Sequence, residues 1–148
     1  MKETSHMPII RRGRPVDVNR LVDVWLNSVR ATHRLLTEAD IQALLPLVRE
    51  TVLPNLAEVW LVCYYHGVAA GFMVLRGPRL DALFIDPSHF CLGCGRRLVE
   101  HARRLKGPLS ASVNEQHREA AAFYRALGFR SSADRRTMMQ ADHFHCFT

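Results

Sequence analysis

The segment that most restricts how this chain can fold runs from Leu80 to Lys106. Leu80-Asp-Ala-Leu-Phe-Ile85 reads as a strand, and Asp86-Pro87 ends it. A helix is expected over Gly93–Lys106, with Leu98, Val99, Ala102 and Leu105 on its buried side and Gly107-Pro108 as its stop. The loop between them carries glycines at 93 and 95, where the helix begins. Glycine lets a backbone approach a bulky anion closely. The first-turn N–H groups have no intrahelical acceptor, and the helix dipole adds positive potential at the same place. Arg96 and Arg97 add full charges beside it. The stretch is therefore expected to grip the diphosphate of a nucleotide-like cofactor. It contains neither the six-residue dinucleotide fingerprint nor the Gly-Lys-Ser/Thr of a P-loop. An ordinary strand-to-helix turn shows the same glycines, so the segment alone does not choose the ligand.

The surrounding pattern supplies the rest of a domain. Pro8–Arg12 reads as a strand, and Val18, Leu21, Val22, Trp25, Leu26 and Val29 form one helical face that follows Pro15. Thr37 is expected to cap a second helix, with Asp40 closing a capping box in place of Glu or Gln. Ile41, Leu44, Leu45, Val48 and Val52 carry its stripe, which Pro46 should kink or divide and Pro54 should leave. Val59–Tyr65 and Val68–Leu75 form a hairpin about His66-Gly67, and Arg76–Arg79 is the next turn. Leu109–Val113 is a short strand. Asn114 is expected to cap a helix to Leu127 with Ala120, Phe123, Tyr124 and Leu127 on one face, and two short strands follow Phe129. The order β-α-α-β-β-β-α-β-α-β-β describes an α/β (α+β) domain, a mixed sheet with helices on both faces.

A chain of 148 residues suits one domain spanning 1–148, and 48% hydrophobic with 23% charged residues is enough to build a core and argues against disorder. No apolar run approaches the roughly 20 residues that cross a bilayer. The N-terminus lacks the apolar region of a secretory signal, and Ser5-His6-Met7 resembles an engineered remnant, with folding expected from near Met7. A cytoplasmic protein without membrane attachment is expected, with its four cysteines reduced. The net charge of +6 comes from scattered arginines, among them Arg11, Arg12, Arg14, Arg103, Arg104, Arg135 and Arg136. No helix-turn-helix, zinc-finger or base-stacking signature accompanies them. A solvated basic surface or a phosphate-bearing ligand is expected rather than nucleic acid.

A second segment, Val113-Asn-Glu-Gln-His-Arg-Glu-Ala-Ala-Ala-Phe-Tyr-Arg-Ala-Leu-Gly-Phe129, changes the weight of the first. Together they resemble the GNAT superfamily of acyl-CoA-dependent N-acyltransferases. The glycine loop occupies the place of its Arg/Gln-x-x-Gly-x-Gly/Ala motif. Asn114, Ala120, Phe123, Tyr124, Gly128 and Phe129 match its Asn…Ala-x-x-Phe-Tyr-x-x-x-Gly-Phe block. Ala31-Thr-His-Arg-Leu-Leu36 and Asp81–Pro87 are also similar to small bacterial GNATs of unassigned substrate.

The resemblance implies the GNAT fold, a mixed, mostly antiparallel sheet, and acetyl-CoA as cosubstrate without a metal. Backbone N–H groups of Leu92, Gly93, Cys94, Gly95 and Arg96 would hold the CoA pyrophosphate. The strand ending at Phe84 and Ile85 would pair with the pantetheine arm, and its amides would polarise the thioester carbonyl. Asn114 would lie near the arm or the thioester. Tyr124 would stand near the sulfur as general acid for the departing thiolate, a role worth on the order of 10²–10⁴ in rate. Phe90 stands where the family usually has Arg or Gln, so that polar anchor of the loop is missing, although backbone donors do not depend on it.

The reaction implied is direct attack by a primary amine of a small molecule or peptide on acetyl-CoA. Asp81, which alternation places on one strand face with Leu83 and Ile85, and His33, after the first helix, are the candidate bases. For each, a polar or capping role is the simpler reading, and Glu115 and His117 read as first-turn residues. A short tail would leave the acceptor cleft open or completed by a second subunit, a homodimer. A non-catalytic acyl-CoA-binding or regulatory module is the alternative from another class. Cys91-x-x-Cys94, with His143, His145 and Cys146, has the spacing of half a zinc site or a redox pair. The second half lacks regular ligand spacing and Cys94 lies inside the glycine loop, so ordinary thiols are expected.

Overall fold

The protein is described by a computed structural model over residues 8–32, 36–52, 58–64, 67–90, 92–111 and 118–130. The strands are β1 (Ile9–Arg12), β2 (Val59–Cys63), β3 (Ala69–Arg76), β4 (Arg79–Ile85) and β5 (Ser110–Ala111). The helices are α1 (Val18–Thr32), α2 (Glu38–Val52), α3 (Cys94–Lys106) and α4 (Arg118–Ala126). The sheet follows chain order, β1-β2-β3-β4-β5. The strands β1 to β4 pair antiparallel, whereas β5 runs parallel to β4. A parallel neighbour needs a long crossover, and α3 supplies it. The two tail strands expected after Phe129, Asn114 at its expected cap and the His66 turn position all lie outside the described residues.

Every residue of β3 from Ala69 to Leu75 is buried, so the sheet is covered on both faces. On one face α1 packs on β3 and β4 through Leu21, Val24, Trp25 and Val29, and α2 lies against α1. On the other, α3 packs on β2, β3 and β4 through Leu98, Val99 and Ala102. Leu105, expected to join that stripe, is 46% exposed. It belongs to the last turn of α3, next to the Gly107 cap.

Local chemistry explains most boundaries. The hydroxyl of Thr37 accepts from the Asp40 N–H at 3.1 Å, and the Asp40 carboxylate accepts from the Thr37 N–H at 3.0 Å. This is the reciprocal box expected, with Asp serving as the third residue. The helix it opens runs from Glu38 to Val52 without division at Pro46. Pro46 lies on an exposed side, where water can satisfy the Gln42 carbonyl that its missing N–H leaves open.

Candidate functional site

The end of β4 is fixed first. The Asp86 N–H donates to the Ala70 carbonyl at 2.8 Å. By alternation, Phe72/Phe84 and Val74/Ala82 are also hydrogen-bonded pairs, and Leu83 and Ile85 turn their backbone groups away from β3 toward the β5 side. On that side β5 pairs with β4 only at Arg79–Ser110 and Leu80–Ala111 among the described residues. Opposite Ile85 stands Gly71, where a Cβ would strike the Ile85 side chain and lie 2.8 Å from the Phe84 carbonyl oxygen. Glycine at 71 thus lets β3 press directly on the backbone of Phe84 and Ile85.

The chain then meets a knot around the buried Asp86 carboxylate. Asp86 caps the short turn Pro87–His89. Its Oδ1 accepts from the Ser88 N–H at 3.1 Å and the Ser88 hydroxyl at 2.8 Å. Its Oδ2 accepts from Asn27 Nδ2 at 3.0 Å and faces Arg20 Nη2 at 3.5 Å. Arg20 also donates from Nε to the Ala69 carbonyl at 3.0 Å, so α1 is tied to the starts of both β3 and the loop. Burial pushes the Asp86 carboxyl upward, but the bonds from Asn27 and Ser88 and the Arg20 charge outweigh it and hold the group below the usual carboxylate range. Because the Ser88 proton is given to Asp86, its oxygen is left to accept from His89 Nδ1–H, 3.0 Å away.

The loop enters α3 through Gly93, whose φ of 82° and ψ of 13° are left-handed. Only glycine adopts that conformation without strain. The Arg97 N–H donates to the Gly93 carbonyl at 3.0 Å, the first bond of the helix. The N–H groups of Cys94, Gly95 and Arg96 precede it and have no intrahelical acceptor. The Arg96 and Arg97 side chains are exposed, and Arg96 reaches Glu100 at 3.3 Å along the helix surface. Leu92 is exposed, whereas Cys94 and Gly95 are buried. Phe90 packs against the core.

Cys94 turns its sulfur inward, 3.3 Å from the Tyr64 hydroxyl at the end of β2. Burial raises the Cys94 thiol above its usual value, and burial followed by the bond to Cys94 pushes the Tyr64 phenol up to about 12. Both groups are therefore neutral near pH 7. The Tyr64 ring also lies 5.0 Å from the His89 ring. Tyr64 and Asp86 are the site residues that motif reading missed. The Asp-Pro-Ser order was a visible capping signal for Asp86. Nothing local in the sequence announces Tyr64.

Tyr124, on α4, is buried between Phe123 and Phe129, with ring centroids 5.0 and 5.2 Å away in edge-to-face geometry. Its carbonyl accepts from the N–H groups of Leu127 and Phe129, and Gly128 turns the chain at φ 94°. Arg103 of α3 places its guanidinium 4.8 Å from the Phe129 ring centre, which docks this end of α4 on α3.

Asp81 is drawn elsewhere. Its carboxylate is 3.1 Å from Arg76 Nε and 3.3 Å from Arg79 Nε, at the β3–β4 hairpin. Ile85 lies four positions further along the strand, about 13 Å along β4. His33, Asn114 and Cys91 lie outside the described residues, as do His143, His145 and Cys146. Among the described residues no three His, Cys, Asp or Glu side chains converge on a metal position, and no helix is long and apolar enough to cross a membrane.

Comparison with known proteins bears on this geometry. The sequence model of the Acetyltransferase (GNAT) domain family matches residues 56–131. The peptidyl-lysine N-acetyltransferase YjaB of Escherichia coli is 42% identical over 121 residues, 82% of this chain and 81% of that protein. The solution structure of apo-form YjaB from Escherichia coli superposes with a TM-score of 0.77 at 38% identity, over 85% of this chain and 84% of that one. The PaiA N-acetyltransferase of Thermoplasma acidophilum, in complex with coenzyme A, shares the fold with a TM-score of 0.75 at 18% identity, over 85% and 91% of the two chains.

Proposed function

Because the chain belongs to the GNAT acetyltransferase family, whose acetyl donor is acetyl-CoA, we propose that it acetylates a lysine side-chain amine in a peptide or protein. In this reading the β4–α3 junction holds the donor and Tyr124 completes the reaction. The observation that carries it is the left-handed Gly93 followed by three first-turn N–H groups, next to two exposed arginines. That arrangement fits a diphosphate by both hydrogen bonding and field. The 42% identity to a relative named a peptidyl-lysine N-acetyltransferase supports the acceptor class.

The residues divide the work. Cys94, Gly95 and Arg96 offer backbone donors to the diphosphate, with Leu92 and Gly93 shaping the approach. Leu83 and Ile85 offer outward backbone groups to the pantetheine arm, next to Phe84, and Asn114 supplies a further contact. Amides at the end of β4 polarise the thioester carbonyl, where negative charge develops. The Tyr124 hydroxyl gives its proton to the departing thiolate. The acceptor amine must lose a proton before or during attack. Asp81 is committed to Arg76 and Arg79, which leaves His33 as the side chain to test as base.

The test is a panel of lysine peptides, free polyamines and amino acids with acetyl-CoA, run with wild type and Tyr124→Phe. Lysine-peptide turnover that falls on the order of 10²-fold in the variant, with unchanged CoA affinity, is expected. Saturable CoA binding without turnover on any amine would favour a non-catalytic CoA-binding module, and turnover confined to free amines would refute the peptide acceptor.

A further inference from the structure

The loop between β4 and α3 lacks the polar side chain expected at position 90, yet it is tied down at both ends. At its entrance the Asp86 knot joins it to α1. At its exit Cys94 Sγ, on the first α3 residue, bonds to Tyr64 Oη, between residues 30 apart in sequence. The two ends are linked as well, since His89, hydrogen-bonded to Ser88, lays its ring 5.0 Å from that of Tyr64. We propose that Tyr64 is a positioning residue for the donor diphosphate: by holding the Cys94 side chain it sets the first turn of α3, and so the aim of the Cys94, Gly95 and Arg96 N–H groups.

The inference rests on the reading of this junction as the CoA site. The physical case is that Cys94 is fully buried and Tyr64 half-buried, so the bond forms where water competes little. Gly93 and Gly95 flank Cys94, and neither has a side chain to fix the turn. The sulfur is a handle by which Tyr64, just past the end of β2, can grip the start of the helix without obstructing an anion. The loop thus replaces a side chain pointing at the ligand with a pair of side chains behind the donors.

Calorimetric titration with CoA tests this on the full chain. Tyr64→Phe and Cys94→Ala are each expected to weaken CoA about three- to tenfold, the worth of one buried hydrogen bond. The double variant should be no weaker than either single. Cys94→Ser, which restores a hydroxyl partner for Tyr64, should stay within about twofold of wild type, a rescue that mere loss of packing would not produce. Wild-type affinity in both single variants, additive losses in the double, or a Cys94→Ser as weak as Cys94→Ala would overturn the proposal. If Tyr64→Phe does not fold, the Cys94 pair decides alone. Absence of CoA binding by wild type would overturn the site reading itself, which is distinct from intact binding that ignores Tyr64.

Discussion

Each end of β4 carries an aspartate faced by arginine, and the two ends behave differently. At the hairpin, Asp81 meets Arg76 and Arg79, whose side chains are 69% and 36% exposed. At the loop, Asp86 is buried and gathers Asn27, Ser88 and Arg20 from two other segments. The first arrangement is local, salt-screened and replaceable by water, so it stabilises little. The second centres on a buried carboxylate, where water competes less, and joins α1, β3 and the glycine loop into one unit. The same residue type therefore decorates a turn at one end and fixes the glycine loop at the other.

The largest effect is expected from Asp86→Ala. Removing the carboxylate leaves Arg20, Asn27 and Ser88 without their shared acceptor, a loss of about 2–3 kcal/mol in denaturant unfolding. CoA affinity should fall with it, because the loop loses its tie to α1. A variant as stable as wild type would erase the contrast between the two ends.

Acid titration sharpens the contrast next. The Asp86 carboxyl is held below its ordinary value of 3.8 in the folded protein, so the unfolded chain binds the proton more readily. Its contribution is fully present above that value and is lost as pH falls through the lower folded value. Asp17, also lowered by its bond to Arg11, acts in the same direction. Urea melts between pH 5 and 2 should show a stability decline that is shallower in Asp86→Ala than in wild type. Parallel curves would remove Asp86 from the account.

The smallest effect belongs to the other end. Asp81→Ala should cost no more than about 0.5–1 kcal/mol in unfolding and leave CoA affinity and turnover within about twofold. A large drop in turnover with CoA binding intact would restore Asp81 as the base.

What the sequence made legible follows from the range of the forces involved. The α1 stripe, the β2–β3 hairpin, the Thr37–Asp40 box and the Gly93 turn are set by residues within a few positions of one another, and they were visible. Leu105 was misplaced because periodicity reports which side of a helix is apolar, not how far along the helix that side stays covered. Pro46 does not divide α2 because the cost of a helical proline depends on whether the freed carbonyl reaches water, a property of exposure. The Asp86–Asn27 and Tyr64–Cys94 pairs are 59 and 30 residues apart, and no local pattern encodes such partners. Asp81 shows the converse. Its place on a strand face was readable, but its two arginine partners are arranged by the hairpin and its bulge between Val74 and Leu75.

The most direct test follows backbone amides while CoA is titrated into the isotopically labelled protein. The N–H signals of Cys94, Gly95 and Arg96 should move most and saturate together, with Leu83 and Ile85 next and the hairpin residues Arg76–Asp81 nearly still. Saturable shifts centred on the hairpin, or a first turn of α3 that does not respond to bound CoA, would contradict the assignment of the β4–α3 junction as the donor site.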